Sequence, residues 1–331
     1  MTELRNLTAI FWAVLIGAAT SLTNAAPAEA PPERPARLAP GPTPADVRAE
    51  KMKARKVAEP TERQVQQMVD AAPDSAPAKP AKPRHVLVWG HAWTHQPNPF
   101  AERAIEVLAA KTGAFQVVIS DDPRLLLPDR LTQFDALVMN NIHERDPFLP
   151  EDFAKLGEEQ KAAASELDQA VKQSILQYVR SGKGLVGIHA ATAAFQNWPE
   201  YGEMMGAYYG GHISQQVSIK VEDLQHPVGA CFEGNAWQIH DEIYIAREPY
   251  SRDKLRVLLS LDLSQMADPG KRPDKDYAIS WVRRFGTGRV FYTTLGHAAP
   301  TYWNPLFLRH LLAGIQFAIG DLPGETKPSG G

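Results

Sequence analysis

From His85 onward the chain alternates short, almost uninterrupted apolar runs with longer segments of helical period, and this alternation limits the folds open to it. HVLVWG (85–90), FQVVIS (115–120), FDALVMNN (134–141) and GLVGIHA (184–190) are each the length of a strand and carry apolar residues on both faces. Strands of that kind are buried from both sides, as they are in a mainly parallel sheet covered by helices. Between them lie FAERAIEVLAAKTG and EEQKAAASELDQAVKQSILQYVRSGKG. In the second, Leu167, Val171, Ile175 and Val179 repeat at i, i+4, and Gly182 and Gly184 end it as a helix C-cap does. The pattern predicts an α/β fold, a doubly wound and mainly parallel sandwich. The later half adds a β-rich portion: QQVSIKVE (215–222), AWQIHDEIYIA (236–246), LRVLLSLD (255–262), DYAISWVRRF (276–285) and RVFYTTLGH (289–297), the last two joined as a hairpin by RRFGTGR. An amphipathic helix from Leu306 to Gly320 closes a single domain over 85–320, and residues 321–331 read as a disordered tail.

The segment before His85 has a different composition. Arg5 precedes an uncharged stretch from Thr8 to Ala19, followed by small residues in SLTNAAPAEA, which predicts a secretory signal peptide over residues 1–28. The apolar run is shorter than the roughly 20 residues that span a bilayer. A periplasmic or secreted protein follows from this, with no stable membrane span after processing; an uncleaved N-terminal anchor is the alternative. Residues 29–84 are crowded with Pro and Ala and read as a largely disordered linker, within which PTERQVQQMVDAA has the spacing of a short amphipathic helix. With a formal net charge of −3 and no basic stripe interleaved with aromatics, nucleic acid is excluded as a partner. The single cysteine, Cys231, reads as a small buried apolar residue.

Ligands in open α/β sheets bind beyond the carboxyl ends of the strands. Those positions are polar and aromatic here. Trp89, His91, Trp93 and His95 follow the first strand; Asn140, Asn141, His143 and Glu144 the third; His189 and Thr192 the fourth; and His297, Thr301, Tyr302 and Trp303 the last. Four strand ends thus bring a histidine to one edge. His85, His226 and His310 are set aside as surface, turn and helix-packing residues, and His212 in GGHI stands between pocket lining and a structural hydrogen bond. HDEIY adds a strand in which His240, Glu242 and Tyr244 share one face and Asp241 takes the other.

In a glutamine-amidotransferase-like sheet the turn after the strand GLVGI resembles a nucleophile elbow. Here that position holds His189, so amidase chemistry is disfavoured and acid/base or metal chemistry remains. His297 falls where the same fold keeps its catalytic histidine. GKGLVGIHAAT, NWPEYGEMMGAYYGGH, HDEIY and GRVFYTTLGH occur in an order that resembles ThuA-like (trehalose-utilisation) proteins over about residues 85–320. The resemblance implies the amidotransferase-like or flavodoxin-like sandwich, a role in carbohydrate metabolism, and a sugar oxidoreductase in the same pathway, because such proteins often stand beside enzymes that make 3-keto-glycosides. Where members often carry Asp-Thr and Tyr after GIHAAT, this chain has Ala193, Ala194 and Phe195.

A 3-keto-glycoside suggests elimination and hydration, hydrolysis or isomerisation, since the ketone acidifies the neighbouring C–H. Such chemistry needs a base, an acid and a stabiliser of the enolate. The expected catalytic residues are His189, His297 and Glu242. Trp89, Asn141, His240, Tyr302 and Trp303 are the expected sugar contacts, and His95, His143, His189 and His297 the expected ligands of a divalent metal, Zn or Mn. No nucleotide cofactor is expected. A non-catalytic carbohydrate-binding or interaction module is the alternative.

Overall fold

The computed structural model describes residues 44–234, 237–266, 270 and 272–328; the expected signal peptide and the start of the linker lie outside them. Nine strands form one sheet, in the order β2-β1-β3-β4-β9-β8-β7-β5-β6. Strands β1 (His85–Trp89), β2 (Gln116–Ser120), β3 (Ala136–Asn140) and β4 (Gly184–Ile188) fall where the apolar runs predict, and all pair in parallel. Strand β9 (Gly288–Thr293) joins them as a fifth parallel strand by pairing with β4. Beyond β9 every pairing is antiparallel, through β8 (Ala278–Phe285), β7 (Arg256–Leu261), β5 (Tyr208–Val221) and the edge strand β6 (Trp237–Arg247). The expectation of a mainly parallel, doubly wound sheet is therefore corrected to a mixed sheet, parallel in one half and antiparallel in the other. The hairpin at Gly286 starts this, since it turns β8 back beside β9, and each strand beyond then runs opposite to its neighbour.

Alternate residues of the parallel strands feed two cores. Val86, Val88, Val138, Val186 and Phe291 pack with α2 (Glu62–Ala71), α3 (Asn98–Thr112) and α7 (Pro305–Ile319) on one face. Leu87, Trp89, Leu137, Leu185 and Tyr292 pack with α5 (Glu158–Arg180) and α6 (Pro199–Met205) on the other. This is the period-two alternation of a sheet buried on both sides.

Two expectations about the flanks are corrected. The segment read as a largely disordered linker forms α1 (Pro44–Arg55) as well as α2, the latter where PTERQVQQMVDAA has helical spacing. Thr61 and Gln64 close a capping box at the start of α2, Met68 is fully buried, and Lys111 Nζ donates to the carbonyls of Val69 and Ala72 at its end. Gln316 then pairs with both backbone groups of Ala78, and Arg84 Nε donates to Asp321 at 2.9 Å. Specific polar partners on the folded domain thus hold a sequence whose composition alone reads as a tether. The tail as far as residue 328 is likewise docked, with Leu322 in the core and the Lys327 carbonyl accepting from Arg256. No helix among the described residues is long and apolar enough to cross a membrane.

His310 and His226, set aside from the sequence, are both buried. His310 Nδ1 donates to the Val228 carbonyl at 2.9 Å, and its Nε2 lies 2.8 Å from Ser280 Oγ. Burial pushes this imidazole down to about 4 from an ordinary 6.5. As pH falls below 6.5 the unfolded chain takes up this proton before the folded one does, so the stability present above pH 6.5 is lost on the way to pH 4. His310 alone accounts for up to about 3 kcal/mol of that loss. Chemical denaturation at pH 7 and pH 4.5 checks this: the fall in stability is expected to shrink in His310→Gln, and an unchanged fall would contradict it.

Candidate functional site

The site forms beyond the carboxyl ends of the parallel strands, where the backbone is bent out of its ordinary range. His189 follows β4 at φ +45° and Asn141 follows β3 at φ +50°, both in the left-handed region that non-glycine residues seldom occupy. His189 therefore has the sharp exit that the elbow reading expects. Its carbonyl accepts from Tyr292 Oη at 2.7 Å, and its Nδ1 donates to the Thr294 carbonyl at 2.7 Å. Its remaining nitrogen, Nε2, is buried without a hydrogen-bond partner.

His95, His189 and His297 each offer a ring nitrogen, and these three atoms lie within 4.8 Å of one another. Their ring centroids are 5.2–5.7 Å apart. His143, the fourth expected ligand, packs its ring against His95 at 5.0 Å but is exposed at the rim and outside this triangle. Burial lowers His189 well below the ordinary imidazole range. His95 falls to about 3, through burial first and then the neighbouring imidazoles of His143 and His297, and its Nδ1 is also buried without a partner. Two uncharged rings with orphaned lone pairs clustered with a third imidazole could hold a divalent cation. The Thr294 carbonyl fixes the His189 tautomer as an outer-shell acceptor does around a ligating histidine. Below His95, Glu144 is held down at about 2: burial opposes ionisation, but His91 Nδ1 at 3.3 Å and the charge of His143 outweigh it.

The antiparallel half closes the pocket. Strand β6 alternates as expected, yet its inward side is the decisive one. Asp241 is buried, and its two oxygens accept from the backbone N–H groups of Glu242, Gly296, His297 and Ala298 and from Thr301 Oγ1, at 2.7–3.1 Å. The opposite face presents Glu242 Oε1 3.7 Å from His189 Nε2 and packs Tyr244, tilted, on the His189 ring at 4.2 Å. The Tyr244 N–H donates to Thr294 Oγ1 at 2.6 Å, so Thr294 ties this strand and His189 to one point.

The model of the trehalose-utilisation family, ThuA, matches residues 85–318. The chain belongs to the ThuA family. Among solved structures it is similar to a putative ThuA-like protein from Bacteroides uniformis, at 20% identity and a TM-score of 0.56 over 73% of this chain and 94% of that one. It is also similar to a putative ThuA-like protein from Parabacteroides merdae, at 18% identity and a TM-score of 0.51 over 74% and 93%. No curated protein matches it.

Within this ThuA domain several expected sugar contacts have other duties. Trp89 is wholly buried against Phe148 and cannot meet a ligand without unpacking the core. Asn141 and Tyr302 are buried as well: Asn141 Nδ2 donates to Tyr302 Oη, which donates to the Gly296 carbonyl. They brace the loop that carries His297. Trp303 packs on Phe100, and His240 is exposed two residues, about 7 Å, along the strand from Glu242. Burial also pushes the Cys231 thiol up to about 12, as an inert packed cysteine requires.

Thr294 and Tyr209 were not singled out by the sequence, and Asp241 was placed on the far face of its strand but not among the site residues. Asp241 could have been, because an acid on the apolar face of an alternating strand must be buried and therefore needs donors. Asp241→Asn replaces an acceptor with an amide that faces N–H groups and should cost about 3 kcal/mol. Denaturant titration reads this directly, and a loss below about 1 kcal/mol would show that the carboxylate is not the tie.

Proposed function

We propose that this chain is an exported ThuA-family enzyme that binds a divalent cation at His95, His189 and His297 and acts on a 3-keto-glycoside or a related oxidised sugar. The observation that carries the reading is the buried, unpartnered Nε2 of His189, facing two further imidazoles with a carboxylate 3.7 Å away. One orphaned nitrogen would not separate ligation from packing, since His226 Nε2 is unpartnered too; two of them, on His95 and His189, clustered with a third imidazole, carry the reading.

A bound Zn or Mn ion would act as a Lewis acid toward a substrate carbonyl. The protein's own residues supply the rest. Glu242 Oε1 takes the proton from the carbon beside the ketone, and the C–H electron pair passes toward the carbonyl. His143, exposed beside His95, protonates the departing glycosidic oxygen in this reading. Tyr244 shields the His189 face from water and offers an aromatic flank. Addition of water to the eliminated product completes cleavage. The substrate must come from a reaction that oxidises a sugar hydroxyl to a ketone, which fits a sugar oxidoreductase as a pathway neighbour.

The test combines metal content and turnover. Purified protein is expected to hold about one Zn or Mn per chain, to lose it in His189→Ala and His297→Ala, and to lose turnover of a 3-keto-glycoside by at least about a hundredfold in both. Near-wild-type rates in both variants would refute the assignment. Saturable sugar binding with no product after long incubation would favour a binding module.

A further inference from the structure

Strand β5 contains a bulge that re-aims two side chains into the site. Tyr209 pairs with Ala246 and His212 with Tyr244, so three steps on β5 match two on β6. In a regular strand residues three apart face opposite sides; the extra residue at Gly210–Gly211 turns Tyr209 and His212 to the same side. Gly211 sits at φ +136°, which only glycine adopts without strain. That side is the one that Glu242 and Tyr244 occupy on β6.

The result is a contiguous row of polar groups. Tyr209 Oη lies 2.8 Å from His212 Nδ1, and His212 Nε2 lies 3.6 Å from Glu242 Oε2. The other oxygen of that carboxylate, Oε1, is the one 3.7 Å from His189 Nε2. The Tyr209 ring packs on Tyr244 at 4.4 Å, which fixes the near end of the row. The far imidazole is about half exposed, so its position is not needed to fill a core.

We propose that Tyr209 and His212 are positioning residues for Glu242. The Tyr209 hydroxyl donates to His212 Nδ1 and so keeps the ring proton on Nε2. Nε2–H then donates to Glu242 Oε2, closing from 3.6 Å when substrate fills the pocket, as hydrogen bonds at such sites often do. One carboxylate oxygen is thereby engaged and the other, Oε1, is left to face the reacting carbon. Neither Tyr209 nor His212 needs to touch the substrate. The inference deepens the reading of Glu242 as the base and rests on it.

Two measurements on the full chain test it. With 15N-labelled histidine, the His212 resonances, assigned by their loss in His212→Gln, are expected to report a tautomer protonated on Nε2, shifting toward a tautomer mixture in Tyr209→Phe. A ring protonated on Nδ1, or no response to Tyr209→Phe, overturns the proposal whether or not any substrate is found. On a 3-keto-glycoside, His212→Phe should lower kcat at least about tenfold with KM little changed, and His212→Gln, whose amide can still donate to Glu242, should recover most of it. Equal loss in the Phe and Gln variants, or no loss in either, refutes the role. If the wild-type chain turns over no such glycoside, the functional reading fails and the tautomer result alone decides the inference.

Discussion

The carboxylate of Asp241 joins the two halves of the sheet. One half ends in the loop after β9, which carries His297; the other ends in the edge strand β6, which carries Glu242 and Tyr244. Five donors converge on that single buried side chain, three of them successive backbone N–H groups of the loop at Gly296, His297 and Ala298. A loop of this kind has no ladder to satisfy its amides, and buried amides without acceptors are costly. One carboxylate therefore does for the loop what a neighbouring strand would otherwise do, and it fixes the distance between a ring from the parallel half and an acid from the antiparallel half. Gly296, at φ +119° and within reach of the Tyr302 hydroxyl, allows the chain to bend tightly enough for three amides to point the same way.

The chemistry of the pocket follows from burial of neutral imidazoles. His189 is wholly enclosed, and the ion-pair distance to Glu242, 3.7 Å, is too long to satisfy its Nε2. An isolated buried imidazole would be expected to find two partners, as His310 does with Val228 and Ser280. The contrast supports the ligating role proposed for His189, whose open nitrogen belongs to a cluster, whereas the orphaned Nε2 of His226 belongs to none among the described residues. His310 is closed at both nitrogens; His189 is closed at one, by a backbone carbonyl that sets its tautomer, and open at the other toward His95 and His297.

Much of this was legible in the sequence, for physical reasons that can be named. The parallel strands were found because runs such as HVLVW and GLVGI have no polar face, and the histidines because four such runs each end on one. The antiparallel half was less legible. Strand β5 begins at Tyr208, seven residues before the expected start, because the Gly210–Gly211 pair reads as a turn where it is a bulge. His212 was consequently left undecided, and Tyr209 unremarked. Trp89 was misread in the opposite sense: an aromatic at a strand end resembles a sugar platform, but the register that places Leu87 in the core places Trp89 there too. Helix α2 showed in the spacing of PTERQVQQMVDAA, but α1 and the docking of this segment were hidden by composition, since Pro and Ala describe a tether unless their partners on the domain are known.

Those helices bear on the site itself. Helix α1 lies outside the residues that the ThuA family model matches, yet its Lys51 sits over the Trp93 ring at 4.3 Å and 3.7 Å from Glu151, which also accepts from Trp93 Nε1. Trp93 stacks on His91 at 5.0 Å and an interplanar angle of 9°, and His91 holds Glu144 beneath the His95 and His143 pair. A continuous set of contacts thus runs from a segment preceding the domain to the loop that supplies one of the three convergent imidazoles. The loop from His91 to Pro97 has no helix or strand of its own to stiffen it. Clamping Trp93 between a lysine and a neighbouring imidazole restricts that loop, and the position of His95 relative to His189 depends in part on a residue that precedes the segment matched by the family model.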